Sequence, residues 1–437
     1  MVTVTRIIDS KTEDLRALRS QVRAEYEGFR ARKLALDMTR GKPSPEQLDL
    51  ANALLALPGE RDFFSQAKED VRNYGGLQGL AEARALFAPM LGVTPDRIVI
   101  GNNASLAMMN DCIVWALLKG VPGGTAPWSQ TPQPAFLCPV PGYDRHFMIT
   151  EEYGFRLIPV PLNGNGPDMD KVEELAADPA VKGIWCIPKY SNPTGEIYSP
   201  ETSQRLAAMR TGAPDFRIFW DNAYTVHHLT PRRHEVANIL ELCEKAENPD
   251  RAFVFASTSK VTFAGAGLAF FASSAANVRW YLGLAGKRTI GPDKVNQLRH
   301  VRFLKNEDGL LRHMDAHRAL IAPKFDATIA ALEARLGGTG VAKWTKPEGG
   351  YFISVDVVDG TARRIVELAK EAGVAITPAG ATWPHGRDPY DRTLRLAPTY
   401  PSLGDVRAAS EVVALCILLA AVEKQCESQE KKAAHES

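Results

Sequence analysis

The chain has 437 residues, enough for two or three domains and a large buried core. Its composition, 45% hydrophobic and 24% charged with a formal net charge of +1, is that of a globular protein with no basic excess for nucleic acid and no acidic solvating tail. No run of about eighteen apolar residues offers a membrane span, the opening MVTVTRIIDSKTEDLR lacks the zones of a signal peptide, and six scattered cysteines without a CxxC fit reduced thiols in the cytoplasm rather than a zinc site.

In chain order, residues 11–33 have the spacing of a charged amphipathic helix. A loop follows at Thr39-Arg40-Gly41-Lys42-Pro43-Ser44-Pro45, punctuated by glycine and proline. Short β-rich apolar runs then recur at 97–101, 136–139, 156–161, 183–187, 217–220, 252–256 and 268–272. Helical patterns at 106–118, 169–177, 201–210 and 276–287 separate many of them. This alternation predicts an α/β fold: a mostly parallel seven-stranded sheet covered by helices on both faces, with ligands at the carboxyl ends of its strands. Residues 309–336 form one long helical pattern that either bridges two domains or breaks near Pro323. Strands at 351–357, 374–377 and 393–397, with helices at 361–372 and 403–422, predict a smaller α+β domain. The expected division is 1–60 as the N-terminal part of the small domain, 61–320 as the large domain and 321–437 as the C-terminal part of the small domain. The polar end from about Cys426 is expected to fray.

Five segments at strand ends carry residues of chemical interest. Ser257-Thr258-Ser259-Lys260 follows an apolar strand. Desolvation there lowers an ammonium's pKa, which is what an amine needs to attack an aldehyde; taken alone, a surface lysine at a strand end is the simpler reading. Asp221-Asn222-Ala223-Tyr224 puts a carboxylate at a second strand end, where it needs a cationic partner. The pyridinium of pyridoxal phosphate (PLP) is such a partner, and Tyr224 can aim its phenol at the ring hydroxyl; a capping aspartate explains the segment equally well. Ser191-Asn192-Pro193-Thr194-Gly195 forces a turn that either presents Asn192 to a ring hydroxyl or is only a turn. Gly101-Asn102-Asn103-Ala104-Ser105 joins a strand to a helix, an anion site or an ordinary β–α connection. Arg395, among apolar neighbours in Leu394-Arg395-Leu396-Ala397-Pro398, either faces solvent or clamps a carboxylate.

In this order the segments resemble the fold-type I PLP-dependent aminotransferases of class I/II, over roughly residues 36–400. The stretches MTRGKPSPEQLDL, VRNYGGLQGL, PGYDRHF, STSKVTFAGAG and LRLAPTYP are similar to the bacterial aspartate aminotransferases of subgroup Ic. The resemblance implies PLP as cofactor and Lys260 as the Schiff-base lysine, in a ping-pong transfer between aspartate or glutamate and a 2-oxo acid. It implies Asp221 as the partner of the pyridinium nitrogen, Asn192 and Tyr224 on the ring oxygen, and Tyr143 stacked on the ring. His146 falls where relatives orient that carboxylate. Asn103, Ala104, Ser105 and Ser257 match the phosphate site, and Tyr74 the tyrosine that reaches the neighbouring subunit's cofactor in a homodimer. Arg395 and Gly41 match the substrate-carboxylate site, which Asn192 adjoins.

The resemblance fails at one point. Many relatives carry an arginine eight residues after the lysine, but here Val261–Leu268 holds no basic residue. Lys287, Arg288 or Lys294 is expected to supply the phosphate's counter-charge, within the chain or across the dimer. A dicarboxylate substrate needs a further cation, with Arg145 the first candidate and Arg40 and Lys42 next. An aromatic or kynurenine-type aminotransferase and a PLP β-lyase are alternatives on the same scaffold. A DNA-binding regulator with an aminotransferase-like domain is disfavoured, because the motifs begin near residue 36 and leave no room for a winged helix.

Overall fold

The structure is a computed structural model that describes residues 12–436. The signal-peptide reading and the first residue of the predicted 11–33 helix fall on residues 1–11, outside the described residues. The strands are β1 (Leu36–Met38), β2 (Ile98–Ile100), β3 (Ala135–Val140), β4 (Arg156–Pro161), β5 (Val181–Cys186), β6 (Arg217–Asp221), β7 (Ala252–Ser257), β8 (Ala269–Ala272), β9 (Ala342–Trp344), β10 (Ile353–Val357), β11 (Val374–Ile376) and β12 (Thr393–Leu396). The helices in the first half are α1 (Thr12–Ala31), α2 (Pro45–Asp49), α3 (Ala81–Leu91), α4 (Ser105–Lys119), α5 (Asp144–Glu152) and α6 (Met169–Ala176). Those in the second are α7 (Pro200–Ala208), α8 (Ile239–Lys245), α9 (Ala275–Arg288), α10 (Lys294–Leu304), α11 (Glu307–Leu336), α12 (Ala362–Glu371) and α13 (Leu403–Glu436). Many start on a side-chain cap: Ser44, Asp168, Ser199, Asn238, Ser274, Asp293 and Asn306 each accept a backbone N–H of the first turn.

The main sheet has seven strands in the order β2-β8-β7-β6-β5-β3-β4. Strands β3 to β7 run parallel, while β8 is antiparallel to both β7 and β2. Two antiparallel steps restore direction, so β2 points the same way as β7. Side chains alternate between faces. Leu137, Ile184, Ile218 and Val254 join one core, whereas Phe136, Trp185, Phe219, Phe253 and Phe255 join an aromatic core on the other face.

A separate apolar cluster gathers Tyr26, Met38, Phe325, Leu332, Ile353, Leu394 and Val413. It holds the antiparallel sheet β12-β10-β9 and the parallel pair β1-β11. The Tyr26 hydroxyl donates to the Leu368 carbonyl at 3.0 Å, and Arg335 pairs with Glu25, so α1 packs with elements more than 300 residues away.

Three differences from the sequence expectation have physical reasons. Helix α11 runs through Pro323 without breaking. The lost backbone bond and ring clash cost about 3 kcal/mol, but Ile321, Phe325 and Leu332 are buried on either side, each contributing roughly 1.5–3 kcal/mol. Helix α13 does not fray at Cys426 but continues to Glu436; Cys426 is buried and Glu423 pairs with Arg23 and Arg364. Strands β1 and β9 and helix α10 carry no clear apolar period and were not expected.

The β1–β11 pair depends on Gly373. Its φ is +83°, and an added Cβ would lie 1.9 Å from the Leu34 carbonyl oxygen. Its own carbonyl accepts the Leu36 N–H at 2.9 Å. Gly373→Ala is expected to destabilise the fold by roughly 3 kcal/mol in a denaturant melt. A loss below about 0.5 kcal/mol, the scale of an ordinary surface change, would show that this chain crossing is not constrained.

Candidate active site

The carboxyl ends of β2, β3, β5, β6 and β7 share one edge of the sheet, and each leads into a segment singled out by sequence. Strand β6 ends on Asp221, which is buried. Its Oδ2 accepts the His146 Nε2–H at 3.0 Å. The His146 ring stacks on Trp185, with centroids 4.4 Å apart, and meets Tyr143 edge-on at 5.0 Å. The other carboxylate oxygen, Oδ1, is buried and has no partner among the described residues.

Strand β7 leads through Thr258 and Ser259 to Lys260. The Lys260 Nζ lies 5.2 Å from the centre of the Tyr224 ring and 5.8 Å from that of Tyr351. Burial pushes the ammonium's pKa down, and the Asp221 charge opposes the shift. Burial also pushes the Tyr224 phenol well up, with Tyr143 and Asp221 adding to it. The Tyr143 phenol is pushed up to about 12, again mainly by burial.

After β5, the Ser191–Gly195 turn closes with Gly195 N–H donating to the Ser191 carbonyl at 2.7 Å. Gly195 has φ +75°, and Pro347 packs where a Cβ would stand, so only glycine fits. The turn presents the buried Asn192, whose Oδ1 accepts from Arg395 Nη1 at 3.3 Å. Arg395 is itself buried. Nη1 also donates to Asp144 Oδ1 at 2.9 Å, and Nε donates to Thr377 Oγ1 at 3.3 Å. The guanidinium lies 5.0 Å from the Phe352 ring centre, and the same ring fills the space where Gly41 would carry a Cβ.

After β2, Ala104 begins α4 with no side-chain cap; the Ala107 N–H donates to the Ala104 carbonyl at 3.2 Å, and the N–H groups of Ser105 and Leu106 have no partner among the described residues. Ser259 Oγ donates to the Asn103 carbonyl at 3.2 Å, and Ser259 N–H lies 3.4 Å from Ser257 Oγ. Lys260, Asp221, Tyr224, Tyr143, His146, Asn192, Arg395 and Gly41 therefore surround one region, with Asn103–Ser105 and Ser257 beside it.

An aspartate amino-transferase family model matches residues 10–429. The chain belongs to the aspartate aminotransferase family. A Mycolicibacterium smegmatis relative is 54% identical over 414 residues, 94% of this chain and 97% of its own. The aspartate aminotransferase of Corynebacterium glutamicum is 50% identical over 415 residues, 95% of this chain and 96% of its own. A crystal structure of an aspartate transaminase from Corynebacterium glutamicum superposes with a TM-score of 0.95 at 49% identity, covering 97% of this chain and all of that one. The family and these relatives make the chain an aminotransferase.

Some residues expected at an aminotransferase site stand elsewhere. Arg145 is exposed; it contacts Met148 Sδ at 4.0 Å, and its charge acts on the neighbouring Tyr143 phenol. A helix turns about 100° per residue, so the face that buries His146, Phe147 and Thr150 sends Arg145 outward. Tyr74 is 80% exposed, and its carbonyl accepts from Lys294 at 3.3 Å. Of the cations considered for the phosphate, Arg288 pairs with Asp111 at 2.8 Å and Lys287 is exposed. Lys294 pairs with Glu69 and donates to the Tyr74 carbonyl at 3.3 Å. Among the described residues no hydrogen bond or ion pair joins any of the three to Asn103–Ser105. Sequence reasoning missed Asp144 and Thr377 on Arg395. Asp144 was legible only as a first-turn acidic residue.

Lys260 yields a prediction with a definite sign. Its folded-state pKa is depressed, so below that value both folded and unfolded states are protonated and folding bears the full desolvation cost. Between the depressed value and the ordinary 10.5 the unfolded chain binds more protons, so stability rises with pH. Lys260→Met is expected to stabilise the cofactor-free protein at pH 7, and the gain should shrink as pH approaches 10.5. Denaturant melts of both proteins across pH 7–10.5 check this; a gain that grows with pH would contradict it.

Proposed function

We propose that this aminotransferase holds PLP at the carboxyl edge of the main sheet and moves amino groups between aspartate or glutamate and a 2-oxo acid. The observation that carries the reading is the convergence of a buried amine, a half-paired buried carboxylate and a multiply held arginine in one region. The donor set fits the cofactor. The unpartnered Asp221 Oδ1 is an acceptor suited to a protonated ring nitrogen, and the α4 N-terminus with Ser105, Ser257 and Ser259 suits a phosphate. When bound, PLP supplies an aldehyde that condenses with amines and a ring that takes up electron density.

The chain's own groups then divide the work. Lys260 Nζ, its proton affinity lowered by burial, both attacks and carries the proton. Asp221 keeps the ring nitrogen protonated, and His146 holds Asp221 in place from behind. Tyr224 and Asn192 hydrogen-bond the ring oxygen, and Tyr143 covers a ring face. Arg395 holds the substrate's α-carboxylate, with Gly41 lying over it. Tyr74 reaches the partner subunit's phosphate in a cytoplasmic homodimer, and residues 1–60 and 321–437 form the small domain around 61–320. Aspartate or glutamate as donor is supported by the family and by the relatives' activity. The direct test is an absorbance titration of the purified holoenzyme. Aspartate is expected to abolish the visible cofactor band and 2-oxoglutarate to restore it. A band that only an aromatic donor changes would reject the acidic-substrate reading.

For the substrate's distal carboxylate, Arg40 takes the place first given to Arg145. It adjoins Gly41 in sequence and is exposed, as Arg145 is, whereas Lys42 stands over the Tyr400 ring at 3.8 Å. Arg40→Met is expected to raise KM for aspartate about tenfold more than KM for an apolar amino acid, the scale of one charge-assisted hydrogen bond. Arg145→Met should change the two equally. Steady-state kinetics with both donors decides, and selective loss in the Arg145 variant would restore that residue to the role.

A further inference from the structure

Two consecutive main-chain carbonyls, those of Lys260 and Val261, are gripped by side chains from distant parts of the chain. Tyr351 Oη lies 3.4 Å and His227 Nε2 3.3 Å from the Lys260 oxygen. His313 Nε2 lies 2.7 Å from the Val261 oxygen, which His317 also contacts. Gln47 joins these groups from behind, with Nε2 3.0 Å from both His317 Nδ1 and Tyr351 Oη. All except His313 are buried, and His313 is half-buried.

Donor and acceptor roles in this network follow from one backbone group. Gln47 Oε1 accepts the Ser44 N–H at 3.1 Å in the capping box of α2. That fixes the amide, so its NH2 donates to His317 Nδ1 and to Tyr351 Oη. His317 must therefore carry its proton on Nε2, facing Val261. Tyr351, having accepted from Gln47, has its own hydrogen free to donate to Lys260. His227 faces a carbonyl and donates through Nε2–H. His313 Nε2 lies 2.7 Å from the Val261 oxygen and 3.1 Å from His317 Nε2, so it either donates to the carbonyl or accepts the His317 Nε2–H. The neutral state is required of His317, because a second proton there would meet the Gln47 NH2. Burial holds the imidazoles neutral, with His317 pushed down to about 3 and His227 and His313 also lowered.

We propose that Gln47 is a positioning residue, which orients Tyr351 and His317 and through them fixes the main chain at Lys260, and hence the Lys260 amine. This rests on Lys260 being the reactive lysine. The network acts on the reaction because it holds the peptide unit that follows the Lys260 Cα and the next one along the chain. It also makes α2, six residues beyond Gly41, part of the lysine's support.

Gln47→Glu tests this with little change of shape. The Ser44 N–H keeps its acceptor, but the NH2 becomes an oxygen that accepts. Tyr351 then turns its hydrogen to residue 47, and the Lys260 carbonyl loses a donor. Tyr351→Phe removes the same donor while keeping the ring. Each variant holoenzyme is expected to lose about tenfold in kcat, to keep KM within about twofold, and to release cofactor faster on dialysis. The double variant should be no worse than Gln47→Glu alone, since both break one link. Wild-type kcat and cofactor release in Tyr351→Phe, or losses that multiply in the double variant, would overturn the proposal. Should Gln47→Glu not fold, the Tyr351→Phe measurements decide by themselves. A Lys260→Ala protein that retained the wild-type visible band would instead refute Lys260 as the reactive lysine, which separates the two failures.

Discussion

Asp221 is a carboxylate buried at the end of a central strand, and the rest of the site is arranged around the need to compensate it. An isolated charge at that depth costs several kcal/mol, and no arginine pairs with it among the described residues. Its compensation is divided. His146 takes one oxygen, itself held by stacking on Trp185 from the aromatic core. The Lys260 ammonium supplies charge at longer range, and Asp221 in turn opposes the fall in the lysine's pKa. A closer ion pair between them would have raised the lysine's proton affinity and tied up the carboxylate. Separation keeps both groups available for chemistry.

The sheet topology makes this compensation possible. Parallel strands from β3 to β7 place their carboxyl ends together, and the antiparallel β8 is the step that brings β2, with its helix N-terminus, to the same edge. The apolar faces on both sides, one of them rich in aromatic rings, supply the burial that offsets a cluster of poorly solvated polar groups. The second apolar cluster contributes what the sheet cannot, a cationic side chain facing the edge from across the site. Arg395 projects from β12 and is positioned by Thr377 after β11, by Asn192 from the large sheet's turn and by Asp144 from α5.

Legibility in the sequence followed the range of the interactions. The main strands were readable because each is a short apolar run, buried on both faces except at the edge strand β4, and the turn SNPTG because glycine alone accepts its backbone. Lys260, Asp221 and Asn192 were readable as residues at strand ends. The environment that decides their chemistry was not. Asp144 on Arg395 joins residues 251 positions apart, and Gln47 with His317 joins residues 270 apart. Such pairs leave no local period. The His313–His317 spacing of four did place both imidazoles on one helix face, but nothing local said which face was buried or what it met. Arg145 shows a different limit: its proximity in sequence to Tyr143 and His146 was legible, but its exposed place on α5 was set by helical geometry.

The arrangement on Arg395 bears on how a carboxylate clamp can be kept ready without being used up. A guanidinium has five N–H groups. Nε is occupied by Thr377, and Nη1 by Asp144 and Asn192, while Nη2 has no partner among the described residues. The three contacts therefore fix the plane of the fork through Nε and Nη1 and leave Nη2 to recruit an incoming anion. Asp144 sits at the first turn of α5, where the helix dipole partly satisfies its charge. That weakens its hold on Arg395 relative to a free carboxylate at the same distance. A substrate able to offer both oxygens of its α-carboxylate can then take Nη2 first and compete for Nη1 second. If Arg395 takes the substrate's α-carboxylate as proposed, it is aimed by three contacts that leave one face of the fork open, an arrangement that lysine at this position, with a single flexible ammonium, could not reproduce.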